Sequence, residues 1–216
     1  NGDVQWLTAG NGIQHAEMFP LFDKVNTNSI DFFQIWVNLP ASRKRVKPYF
    51  SMFWADQVPV INIQDSNGRM TEITVIAGQH GSNKPPSPPP DSWASDSNNN
   101  FAMWIIKLQS NAEWILPATS STAHRSLYVV NGTGIKIGTQ LINVRNQVEL
   151  IPDFDVTITD NGSGTKLLLL QGEPIAEPIV KHSPFVMNTQ TEIRQAYYDY
   201  QNTQFGGWIW GKDDPV

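Results

Sequence analysis

The chain contains no cysteine, which excludes a disulfide framework and any thiolate metal site. A metal bound here must be held by imidazole and carboxylate. Charge is scarce as well: charged residues are 16% of the 216, and the net charge is −5. That balance offers no electrostatic footprint for direct nucleic-acid binding. The one basic cluster, SRKRVK from Ser42 to Lys47, reads as a solvated loop. No apolar run approaches the roughly 20 residues that a helical membrane span needs. No Gly-rich phosphate loop joins a strand to a helix, and no Gly-x-Ser-x-Gly elbow supports a Ser-His-Asp hydrolase. The first residues, Asn1-Gly2-Asp3, are neither a signal peptide nor a methionine start. The expected location is cytoplasmic, or nuclear in a eukaryote.

What the chain does have is aromatic side chains, eight Trp and ten Phe, the load of packed β-structure or of a substrate cleft. Short strand-length runs fill most of it: Phe32–Pro40 (FFQIWVNLP), Glu72–Gly78, Phe101–Leu108, Arg125–Gly132, Gly134–Gly138, VELI, DVTITDNG and KLLLLQG. Asn67-Gly68, Asn131-Gly132 and Asn161-Gly162 supply turn chemistry between them. Many short strands at close spacing predict an all-β sandwich or barrel. In Phe32–Pro40, Phe33, Ile35, Val37 and Leu39 make one apolar face. Phe32, Gln34, Trp36 and Asn38 make the other, as expected for a strand lining a partly polar cavity. Two segments break the pattern. Ser82–Asn100 is rich in Pro, Ser and Asn and reads as a long surface loop, either a spacer or a binding lid acting through Trp93. TQTEIRQAYYDYQNTQ carries a capping box, Thr189 with Glu192, followed by Ile193, Ala196, Tyr197 and Tyr200 on one helical face. A helix around residues 192–202 is predicted.

Four histidines are available for chemistry. His80, His124 and His182 have no carboxylate or second imidazole at ligand spacing, so a structural role is expected for each. His15 and Glu17 differ, because on a strand residues i and i+2 share a face. Their donor atoms would then converge, on a metal ion or merely on one another.

The surroundings favour one known family. The stretch GDVQWLTAGNGIQH resembles the second conserved motif of the cupin superfamily. QWLTAGNGIQHAEMF, FFQIWVNLP and GEPIAEPIVKHSPFVMNTQTEIRQAYYDYQNTQFGGW together resemble the pirin family, with VIAG at Val75–Gly78 similar to a further segment. The resemblance implies a bicupin, two double-stranded β-helix barrels with a C-terminal α-helix. Residues 1–55 would be the later part of the N-terminal barrel, and 56–174 the C-terminal barrel with its Pro-rich loop at 82–100. Residues 175–216 would be an extension carrying the helix. It also implies one mononuclear non-haem iron, or another divalent metal, held by three His and one Glu in the N-terminal barrel alone. His15 and Glu17 match the H-x-E element of that set. The H-x-H strand that carries the other two ligands has no counterpart in the sequence. This reading expects a fragment of a longer protein whose metal binding is weak or absent as the chain stands. Smaller departures are Asn11, where the family often has Arg, and Ala16, where it often has Ser.

Two activities follow from the resemblance. One is a quercetin 2,3-dioxygenase-type oxidoreductase acting on a small aromatic substrate such as a flavonol. Glu17 and His15 would be its catalytic residues, and Gln34 and Trp36 would line the pocket. The other is a non-enzymatic regulatory module that meets a protein partner, with iron in a structural or redox role. The sequence leaves the oligomeric state open.

Overall fold

The computed structural model describes residues 2–17, 19 and 21–207. The chain divides into two compact units, Asn1–Leu7 with Phe50–Ile175 and Thr8–Tyr49 with Ala176–Val216.

In the first unit the chain runs through β1 (Val4–Thr8), which continues one residue into the second unit, and β2 (Tyr49–Phe53), which begins one residue before its own. Then follow β3 (Val60–Gln64), β4 (Met70–Ala77), β5 (Ala102–Leu108), β6 (Glu113–Leu116) and β7 (His124–Gly132). β8 (Ile135–Ile137), β9 (Gln140–Ile142), β10 (Gln147–Glu149), β11 (Val156–Asp160) and β12 (Thr165–Gly172) complete it. β1 pairs with β2. The rest form a six-stranded sheet, in the order β10-β7-β12-β5-β4-β3, and a four-stranded sheet, β6-β11-β8-β9. Every ladder in those two sheets is antiparallel.

Alternation builds the core. β7 buries Arg125, Leu127 and Val129 while Ser126, Tyr128 and Val130 are more open. The large sheet contributes Ile73, Val75, Trp104, Ile106, Leu127, Leu167 and Leu169, and the small sheet contributes Trp114, Leu116, Ile135, Ile142 and Ile158. Each such side chain contributes about 1.5–3 kcal/mol by leaving water. In β12 the Leu run is buried at Leu167, Leu168 and Leu169 alike. A continuous apolar run of this kind marks a central strand covered on both faces. This is the all-β architecture that the strand pattern predicts.

The turns follow the predicted chemistry. Asp65 Oδ1 accepts from the backbone N–H groups of Asn67 and Arg69 at 2.8 and 2.9 Å, closing the β3–β4 hairpin. The Pro-rich segment is no free spacer. Trp93 Nε1 donates to the Glu173 carbonyl at 2.9 Å, and Asn99 Nδ2 donates to the Trp93 carbonyl at 2.7 Å. Ser92 and Asn99 are buried within it.

In the second unit a β13–β14 hairpin (Val180–His182 and Phe185–Met187) leads into α1 (Gln190–Thr203). Thr189 caps α1, accepting from the Glu192 N–H at 3.2 Å. The Glu192 carboxylate returns to the Thr189 hydroxyl at 2.8 Å and to the Asn188 N–H at 3.2 Å. Ile193 and Ala196 are buried against Met187, Phe185 and Tyr197, as the helical spacing predicts.

Two sequence expectations fail here. Phe32–Pro40 forms no strand, and residues 12–17 form none either. A strand exists only by hydrogen bonding to a neighbour, and neither stretch has a ladder partner among the described residues. Between residues 32 and 37 the alternation survives without a ladder: Phe32, Gln34 and Trp36 are exposed, and Phe33, Ile35 and Val37 are partly covered. The basic cluster also departs from a solvated loop, since Lys44 within it is buried. Among the described residues no helix is long and apolar enough to cross a membrane.

Candidate metal centre

The loop bearing His15 and Glu17 is positioned by the turn that precedes it. The Gly12 N–H donates to the Ala9 carbonyl at 2.9 Å, and the Asn11 N–H donates to the Val46 carbonyl at 2.8 Å. Two glycines are required by this geometry. Gly10 has φ +51°, and a Cβ there would stand 2.1 Å from the Val46 carbonyl oxygen. Gly12 has φ +114°, and its Cβ would stand 2.5 Å from the Phe205 ring. Asn11 Oδ1 accepts from Arg45 Nη1 at 3.4 Å, and the same nitrogen pairs with Asp199 of α1 at 3.1 Å. Gln14 Nε2 reaches Tyr200 Oη and Gln204 Oε1, each at 3.4 Å. The loop is therefore held to the 45–46 segment and to the C-terminal end of α1.

His15 Nδ1 lies 4.0 Å from Glu17 Oε1, with the two side chains 43% and 27% exposed. The separation is too long for a hydrogen bond. Two ligands each about 2.1 Å from one ion stand about 3.0–3.4 Å apart at octahedral or tetrahedral angles, so the pair is more open here than adjacent ligands on a bound ion. An imidazole nitrogen beside a carboxylate oxygen suits iron, manganese or zinc. The pair thus suits a metal in donor type, and its two donor atoms must draw closer to share one ion at adjacent positions. Among the described residues no cluster of three or more His, Asp or Glu is arranged to hold an ion. The i, i+2 parity argument assumes a strand, and the structure has an irregular loop carrying the two side chains instead.

Gln34 and Trp36 sit on the more exposed side of the 32–37 stretch. Trp36 is 55% exposed, and Lys181 Nζ lies 4.9 Å from its ring centre. No hydrogen bond or ring contact described here joins Gln34 or Trp36 to His15 or Glu17. The other histidines are engaged elsewhere. His182 Nδ1 is 2.7 Å from Tyr197 Oη, which donates to the Ser183 carbonyl at 2.7 Å. His80 packs edge-on to Trp104 at 5.1 Å. His124 is exposed at the start of β7.

Sequence reasoning missed two buried cations. Lys44 donates from Nζ to Asn38 Oδ1. Burial lowers its pKa, and Glu177 and Glu192 work against that shift. Arg125 is bonded through Nε and Nη2 to Gln171 Oε1 at 2.9 and 2.7 Å. Burial lowers its pKa also, with Asp155 opposing. Parity would have found Arg125, which shares its face with Leu127 and Val129. Lys44 gives no periodic signal.

Residues 1–37 match the family described as Pirin, and residues 103–206 match the one described as Pirin C-terminal cupin domain. Pirin-1 of Arabidopsis thaliana is 34% identical over 210 residues, an alignment covering 95% of this chain and 66% of that protein. A Pseudomonas aeruginosa protein provisionally named a quercetin 2,3-dioxygenase is 30% identical over 205 residues, covering 94% of this chain and 67% of its own length. A crystal structure of quercetin 2,3-dioxygenase from Acinetobacter baumannii superposes with TM-score 0.72 at 23% identity, covering 95% of this chain and 67% of that one. The chain spans about two thirds of the length of these curated relatives.

Proposed function

This chain belongs to the pirin family, and from that premise we propose that it is a metal-binding cupin protein of the quercetin 2,3-dioxygenase type, acting on a small aromatic substrate such as a flavonol. The placing of an imidazole beside a carboxylate, His15 Nδ1 and Glu17 Oε1 4.0 Å apart, carries the proposal. The provisional name of the Pseudomonas aeruginosa relative supports the reaction class. In this reading residues 1–55 belong to a first cupin barrel and 56–174 form the second. Residues 175–216 are the extension that braces the His15 loop.

His15 and Glu17 would hold a mononuclear iron, which would take further ligands from water or other groups. When bound, the iron supplies Lewis acidity and one-electron chemistry toward O2. The rest falls to the chain. Glu17 keeps a second carboxylate oxygen able to accept the proton of a flavonol hydroxyl, the role of a general base. The turn at Gly10 and Gly12 sets the path of the loop that carries Glu17. Trp36 offers an exposed aromatic face to a flat ring, and Gln34 offers amide donors and acceptors beside it.

Titration of the chain with Fe(II) under nitrogen tests the site. One weak binding event is expected, because two protein ligands leave most of the shell to water. His15→Ala and Glu17→Ala should each abolish it, and metal retention equal to wild type in both would sink the assignment. Loss of the quercetin absorption band on admitting air tests the reaction separately. Metal bound at His15 and Glu17 with no quercetin consumed would keep the centre and overturn the oxygenase.

A further inference from the structure

We propose that one end of the barrel formed by the six- and four-stranded sheets binds a small monocarboxylate through Arg125. The residue lies on the inward parity of β7 and is 2% exposed. Across the ladder it stands opposite Gln171 of β12, which stands opposite Ala102 of β5. Gln171 takes Nε and Nη2 of the guanidinium on Oε1. Its Nε2 donates to the Asn100 carbonyl at 2.8 Å and to Thr119 Oγ1 at 3.2 Å. Because a carbonyl can only accept, the amide cannot flip, and one edge of the guanidinium is fixed by a neutral partner.

The other edge is unmet. Arg125 Nη1 is buried and has no hydrogen-bond partner among the described residues. None of the ion pairs among the described residues includes Arg125. Asp155 acts on it only at longer range, and Asp155 Oδ1 already accepts from the Ala118 N–H at 2.7 Å. A buried cation with an idle donor and no counter-charge in contact is costly, and an apolar side chain in its place would avoid the cost. A carboxylate would remove both deficits, since its two oxygens match the planar fork of the guanidinium.

Charge and space set the ligand class. Among the described residues Arg125 is the buried cation of this unit, which suits one negative charge better than the nearly two of a phosphate. The next layer inward, Trp104, Leu127 and Leu169, is buried and filled, so the ligand is small and stays at the level of Arg125. Nη1 has no open surface, so entry requires the covering chain to lift. The segment 82–100 is attached at this end. Asn100 bonds Gln171 through its carbonyl and Glu173 Oε1 through its side chain at 2.8 Å, and Trp93 bonds the Glu173 carbonyl.

The probes are sodium formate and sodium acetate, titrated at constant ionic strength against sodium chloride and inorganic phosphate. Calorimetry and thermal melting give the readouts. Wild type should show a saturable rise in Tm with either carboxylate, and neither control should produce one. Arg125→Met should melt cooperatively at or above the wild-type Tm without ligand, and should bind carboxylate at least about tenfold more weakly. Arg125→Lys keeps the charge but not the fork, and should also lose affinity several-fold; it serves as the decisive variant if Arg125→Met does not fold. A carboxylate-dependent fluorescence change present in wild type and reduced in Trp93→Phe would support entry beneath the 82–100 segment. The site is overturned by a wild type that shows no saturable response, by variants that bind as wild type does, or by a response to phosphate alone. None of these readouts depends on metal at His15.

Discussion

Single residues set the sharpest constraints in this chain. Gly10 combines a left-handed backbone with a carbonyl oxygen 2.1 Å from where a Cβ would sit. The Val46 carbonyl cannot yield cheaply, since it accepts the Asn11 N–H. Gly10→Ala should therefore destabilise the protein by about 2 kcal/mol or more, read as a lower midpoint in urea. A midpoint unchanged from wild type would mean that the turn is not built as described. At this scale the sequence was informative where chemistry repeats locally. The Gly-x-Gly turn and the His-x-Glu pair could both be read directly. Lys44 could not, because whether a cation is buried depends on chain that lies far away in sequence, and Arg125 carried only the parity of its strand.

At the level of elements, α1 is the clearest case of local determination. Thr189 and Glu192 satisfy the first N–H groups of the helix, and Ile193 and Ala196 fill its apolar face. Thr189→Ala should cost about 1 kcal/mol, seen as a lower thermal midpoint by circular dichroism at 222 nm. Ile193, being fully buried, should cost more when cut to Ala, about 2–5 kcal/mol; equal effects of the two changes would contradict the packing described. Phe32–Pro40 is the opposite case. Its period-2 exposure is visible in the chain and in the structure between residues 32 and 37, yet it forms no strand. Alternation encodes a two-faced extended segment, and a partner makes that segment a strand.

For the molecule as a whole, the shifted groups predict its response to acid. Burial lowers the pKa of His80 from 6.5, with its own backbone group opposing. For Asp160 burial raises the pKa, but bonds from Thr165 and from the N–H groups of Asn111, Gly162 and Gly164 outweigh it, and the net shift is down from 3.8. Asp65, Glu173 and Glu192 shift the same way. In every case the folded pKa lies below the unfolded one, so the unfolded chain takes up protons first. The stability these groups contribute is present above the unfolded value and is lost as pH falls through the folded value. Tm should fall in two stages on acidification, one starting below about pH 6.5 and a steeper one from about pH 4 downward. His80→Gln should remove the first stage, and Asp160→Asn should flatten part of the second. A flat Tm between pH 7 and 5 in wild type would count against the partly buried setting of His80.

Alternating and continuous apolar runs, Asn-Gly turns and one capping box are local patterns, and they determined by themselves an all-β chain with a single helix near its end. Residue type, spacing within three positions and the pirin-like surroundings made His15 and Glu17 the candidate pair. Tertiary structure decided what requires distant chain. It left Phe32–Pro40 without a ladder, and it pinned the Pro-rich segment through Trp93 and Asn99. It turned Lys44 and Arg125 inward, and it placed the His15 loop against residues 45–46 and the end of α1. Burial, ladder pairing and the distance between two donor atoms are properties of the whole fold, and no window of sequence contains them.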